Sequence, residues 1–210
     1  MKIRKYIVLL AILISTLLLI IASLLYPGGS LYDKQAPGFD WTKNFFSNLF
    51  EATAINGQPN PGRIWAVIGM AFHSIGYGLF FRNTARKMPM RHASIVLNTV
   101  GIANMVFSFL IATPLHDIMI VVSSTLTLLG IFYITVFTLK TKLHILKAAC
   151  ILCMLIFYFT LYLYGAGDWG LLAVMQKVSL VVSLALVLGI EYGTRAEDFF
   201  QKQNPSIPTR

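Results

Sequence analysis

Residues 7–25 read IVLLAILISTLLLIIASLL. No charged residue interrupts the run, and apolar and polar positions do not alternate in it. A helix crossing the hydrocarbon core of a bilayer needs about 20 mostly apolar residues. The other architecture that satisfies its own backbone in lipid, a closed β-barrel, requires strict alternation. The run therefore predicts a transmembrane helix over residues 6–26. Five further stretches read the same way, at 63–82, 93–113, 117–139, 145–164 and 170–192.

Composition agrees with a chain whose solvent is lipid. Hydrophobic residues make up 57% of the 210 positions, charged residues only 12%, and mean hydropathy is +0.72. A soluble domain carries about 25% charged residues. The net charge of +9 is spread over short basic clusters between apolar runs, which excludes the continuous patch of a nucleic-acid binder. The expected fold is all-α: a polytopic bundle of six transmembrane helices over residues 1–192, then a polar tail at 193–210 that ends in NPSIPTR and is expected to be disordered at its tip.

Lysines and arginines set the orientation. With the N-terminus inside, thirteen of them fall on cytoplasmic segments, including Lys2, Arg4, Lys5, Arg86 and Lys142. Only Lys34, Lys43 and Arg63 fall outside, and Lys177 lies within the sixth span. Both termini are expected in the cytoplasm, with a prokaryotic cell membrane as the location. The first apolar run exceeds the 7–15 residues of a cleaved signal core, so it reads as an uncleaved signal anchor.

Most connections are short; Thr113-Pro114-Leu115-His116 is a tight outer turn. The first outer loop, 27–62, is longer. It opens with YPGGS and closes with NGQPNPGR, both rich in turn formers. Between them, DWTKNFFSNLFEA puts Trp41, Phe45, Phe46, Leu49 and Phe50 on one half of a helical wheel. Lys43, Asn44, Ser47, Asn48 and Glu51 fall on the other half, and Asp40 is placed as an N-cap. An amphipathic helix over 41–51, lying in the outer interface, is the prediction.

Ionisable and polar side chains within spans are the candidate functional groups, because each is costly in lipid. Lys177 sits about 10 Å below the outer boundary at 1.5 Å per residue, and either Asp117 or Asp168 is placed to pair with it. Gln176 and His116 could complete a network that holds a phosphate or carboxylate. His73 lies mid-span on a small-residue stripe with Ala66, Gly69 and Gly76, which suits close helix approach and interhelical hydrogen bonding. Gly101, Asn104 and Ser108 form a comparable face on the third span, Ser123, Ser124 and Thr127 on the fourth, and Gln176, Ser179 and Ser183 on the sixth. These small-residue faces also offer a route to a homo-oligomer.

The chemistry itself stays open. No catalytic set is assigned, because no serine has a base placed by spacing and no phosphate loop or dinucleotide fingerprint occurs. No cofactor is implied. No metal site is expected either, since His73 and His116 differ in depth by more than about 10 Å. Cys150 and Cys153 lie in a lipid-embedded helix as small apolar fillers.

W-x2-N-x2-S-N-L in the first loop, NGQPNP-x-R before the second span, LHD-x4-VSS at the fourth and MQK in the sixth form a pattern. It resembles the uncharacterised six-helix membrane family called domain of unknown function 998, from YPGGS to about Glu191. The resemblance implies a six-helix bundle with its polar motifs near the outer face, and it implies no activity. Three function classes follow: binding of a lipid headgroup or small polar ligand in an outer polar pocket, with membrane lipids as partners; a lipid-directed hydrolase or transferase using His116, Asp117 and Lys177; and a small-solute transporter.

Overall fold

The computed structural model describes residues 3–200 and contains six helices long and apolar enough to cross a membrane. They are α1 (Ile7–Leu24), α2 (Arg63–Ala85), α3 (Arg91–Leu110), α4 (His116–Thr138), α5 (His144–Ala166) and α6 (Trp169–Gly193). A short helix, α7 (Ala196–Phe199), follows. Each span matches its sequence prediction to within a few residues, and no strand is formed among the described residues.

Neighbours in sequence pack as neighbours in space, and α2 also touches α6. Glycine sets how closely the first four helices approach. A Cβ built on Gly101 of α3 would lie 2.8 Å from the Gly78 carbonyl oxygen of α2, so the two backbones meet there. On α4, a Cβ at Gly130 would sit 2.3 Å from the Phe81 ring. The stripe of small residues on α2 is used within the chain: Gly69 and Gly76 lie against Ser15, Leu18 and Ala11 of α1.

The half of the bundle remote from loop 27–62 is filled by Phe80, Phe81, Leu97, Ile131, Ile134 and Ile190, all buried. Cys150 and Cys153 are buried there as free thiols. The polar tail starts by docking: Phe199 of α7 is buried in this same cluster. Lys87 Nζ donates to the carbonyls of Ile190 (3.0 Å) and Glu191 (2.8 Å), satisfying the end of α6. Burial pushes the Lys87 ammonium down from its ordinary value, while Glu191 and Asp198 oppose that. The NPSIPTR end, expected to be disordered, lies outside the described residues.

Loop 27–62 is an ordered cap. Gly28 pairs with Pro37 and Thr53 with Pro59 in isolated bridges, and the Asn56 amide donates to the Gly28 carbonyl at 3.3 Å. Gly29, at φ +83°, lets this happen, since any Cβ there would meet the Asn56 nitrogen at 2.5 Å. The predicted helix over 41–51 is shorter than expected: residues 40–43 form a turn, and only Phe46–Phe50 coil, as a 3-10 helix. The cause is competition from asparagine and aspartate side chains for backbone groups. Asp40 accepts from the Thr42 amide (2.8 Å) and hydroxyl (2.7 Å), closing a turn instead of capping a helix. Asn44 Oδ1 accepts from the Asp40 amide and its Nδ2 donates to the Gly29 carbonyl. Phe45 is extended at ψ 152°, which breaks the α-helical path. Asn44 is therefore fully buried, although the wheel put it on the polar face. Leu49 and Phe50 are buried as expected, but Trp41 remains 46% exposed.

Candidate functional site

Beneath this cap lies a chamber of about 220 Å³. Phe46, Ser47 and Phe50 of the cap roof it, and its walls come from all helices of the bundle, reaching down to His73 and Tyr77 on α2, Thr127 on α4 and Ser183 on α6. A second space, of about 340 Å³, continues from it between α4 and the α5–α6 pair. The two share Ser47, His116, Ile120, Ser124, Thr160, Leu161 and Gln176, which form a neck between chamber and vestibule. The rim of the vestibule includes exposed Asp117, Val121 and Trp169.

The side chains that make the chamber polar are mostly bonded to one another. Asn104 of α3 is the hub on one wall: its Nδ2 donates to Thr127 Oγ1 at 2.8 Å, and its Oδ1 accepts from Ser108 (3.1 Å) and Ser123 (2.9 Å). Ser108 and Ser123 also bond each other at 2.7 Å. This closes a network between α3 and α4 that the spacing of their small polar faces had suggested. On the opposite wall, Tyr77 and Ser183 share a hydrogen bond of 2.6 Å, and Thr160 and Ser179 one of 2.7 Å.

The predicted site residues separate into two groups. His116, Gln176 and His73 line the chamber, and Asp117 lines the vestibule. Lys177 and Asp168 line neither. Lys177 points instead into the cap, where its Nζ donates to the carbonyl of Asn44 and to Ala173 O (2.7 Å), with the rings of Phe39 and Phe46 5.8 and 5.4 Å away. The expected ion pair with Asp117 or Asp168 does not form. Backbone carbonyls and aromatic faces make the direct contacts to the ammonium in place of a salt bridge. Asp168 serves as the N-cap of α6, accepting from the Leu171 amide at 3.1 Å. His73 makes no interhelical hydrogen bond; it stacks on Tyr77, with centroids 4.5 Å apart.

Gln176 has two roles. Its Oε1 accepts from the Phe46 amide at 2.9 Å, tying the cap to α6, while its amide nitrogen has no partner among the described residues. His116 Nδ1 lies 2.9 Å from the Ile111 carbonyl oxygen. A carbonyl only accepts, so Nδ1 carries a proton, and when the ring is neutral its lone pair is on Nε2. No group of three or more His, Cys, Asp or Glu suited to a metal occurs among the described residues. Sequence reasoning did not single out Ser47, which lines both spaces, because a wheel drawn for a helix over 41–51 placed it only on the polar half. No protein-family model, curated protein or solved structure matches the chain.

Proposed function

We propose that the protein binds the polar headgroup of a membrane lipid in this chamber, the lipid entering sideways between α4 and α5–α6 while its chains stay in the bilayer. The observation that carries the reading is the combination of a polar, capped chamber with a lateral vestibule. A buried space that continues sideways between helices suits an amphiphile better than a freely soluble solute. The apolar packing of the remote half of the bundle, around Phe80, Phe81 and Ile134, argues for a one-ended binding site over a conduit. Lipids are thus the partner class, and no catalytic step is assigned to His116 or Asp117.

Charge favours an orientation with the cap outside and both termini in the cytoplasm of a prokaryotic cell, given the thirteen-to-three division of lysines and arginines. A cysteine placed at 56 should be labelled from outside intact cells and one at 142 should not; the reverse pattern overturns this orientation.

Native mass spectrometry of the detergent-purified chain tests the binding. Wild type should retain lipid adducts, and Ser124→Trp, which fills the neck, should lose them while keeping its helical circular dichroism. Equal retention by both forms would overturn the reading.

A further inference from the structure

From the unpartnered groups of the neck, and resting on the lipid-binding reading above, we infer that the headgroup taken there is uncharged and hydroxyl-rich, as in a glycosyl diacylglycerol. Four residues that line the neck carry groups with no hydrogen-bond partner among the described residues: the Ser47 and Ser124 hydroxyls, Gln176 Nε2 and His116 Nε2. The deeper polar residues are already committed, Asn104 to three partners and Tyr77 to Ser183. Recognition therefore falls to the neck.

The chemistry of those four groups is mixed. Gln176 Nε2 only donates, His116 Nε2 in the neutral ring only accepts, and the two hydroxyls do either. A ligand that satisfies all of them must itself donate and accept from neighbouring atoms, which adjacent hydroxyls of a sugar or polyol do. A phosphate diester only accepts, so beside a neutral His116 ring it would set its lone pairs against that of Nε2. An ammonium only donates and would leave the Gln176 amide unsatisfied, at the cost of a buried unpaired donor.

Charge points the same way. Among the described residues, no lysine or arginine lines chamber or vestibule, and the one charged side chain lining either is Asp117 at the rim. The nearby cation, Lys177, is committed to the cap carbonyl of Asn44. An anionic headgroup would pass a carboxylate to reach a site with no cation to receive it.

The test loads delipidated protein with an equimolar mixture of monoglucosyl diacylglycerol, phosphatidylglycerol and phosphatidylcholine of identical chains, read by native mass spectrometry. The glucosyl adduct should dominate. Ser124→Ala, which touches no cap contact, should weaken it by about threefold to tenfold, the range of one lost neutral hydrogen bond. Gln176→Glu keeps the oxygen that holds Phe46 but replaces the donor, and should cut the same adduct while preserving the thermal midpoint. Preference for either phospholipid, or an unchanged profile in both variants, overturns the inference and leaves lipid binding standing. Absence of any adduct in wild type overturns both.

Discussion

Lys177 of α6 donates its ammonium hydrogen to the backbone carbonyl of Asn44, a residue 133 positions earlier in the chain. The neighbouring Gln176 accepts from the Phe46 amide. Two consecutive side chains of one transmembrane helix therefore hold the 44–46 backbone over the chamber, and the cation that could have served a ligand serves the cap.

Removing that cation should loosen the cap and leave the bundle intact. A hydrogen bond to a charged donor contributes about 1.5–3 kcal/mol, so Lys177→Met should speed proteolysis within 40–51 and lower the thermal midpoint. Because Lys177 and Asp117 form no ion pair, the stability losses of Lys177→Met and Asp117→Asn should add. A double-mutant coupling of more than about 0.5 kcal/mol would show that the two interact after all.

Asn104 ties α3 to α4 through side-chain bonds to Thr127 and Ser123, and also bonds Ser108 on its own helix. Asn104→Leu fills similar volume but leaves the Thr127 hydroxyl without its donor and Ser108 and Ser123 with only each other. Interhelical hydrogen bonds in membrane proteins contribute about 0.6 kcal/mol each on average, so a loss of about 1–2 kcal/mol is expected, measured by unfolding in detergent. Stability equal to wild type would mean those hydroxyls find other partners.

Gly101→Ala should separate α2 from α3. The new Cβ would meet the Gly78 carbonyl oxygen at 2.8 Å and Phe81 Cβ at 3.0 Å, and backbone cannot yield as a flexible side chain can. Overpacking of this kind costs about 1–3 kcal/mol. Gly165→Ala, where no atom lies within 4 Å of the new Cβ, is the matched control and should be neutral or slightly stabilising. Equal midpoints for the two variants would refute a close backbone contact.

The cap should weaken in acid. The hydroxyl and amide of Thr42 hold the Asp40 carboxyl well below the usual carboxylate range, at about 2, with Lys43 adding to the effect and burial opposing it. A depressed folded value means that the stabilisation is complete above the ordinary carboxylate value and is lost as pH falls through about 2. Hydrogen exchange at the Thr42 and Asn44 amides should accelerate over that window, and Asp40→Asn should flatten the response. Acceleration at higher pH, or an unchanged profile in Asp40→Asn, would assign the change to another group.

The six spans were legible in the sequence because the requirement behind them is local. Lipid offers no hydrogen bonds, so about 20 consecutive apolar residues must close their own backbone as a helix wherever they occur. The small polar faces were legible for a related reason: spacing of three and four puts Gly101, Asn104 and Ser108 on one side of α3 whatever surrounds it. Partners are a different matter. Whether Lys177 met Asp117, Asp168 or a carbonyl depended on where loop 27–62 came to rest, and that depended on the buried Asn44, whose side chain bonds the Asp40 amide and the Gly29 carbonyl. A helical wheel sees neither, so it extended a helix through residues whose side chains had captured the backbone groups that helix needs. Periodicity determined which faces are polar; only the tertiary structure decided that the cap closes over them, because long-range hydrogen bonds depend on atoms brought together from opposite ends of the chain.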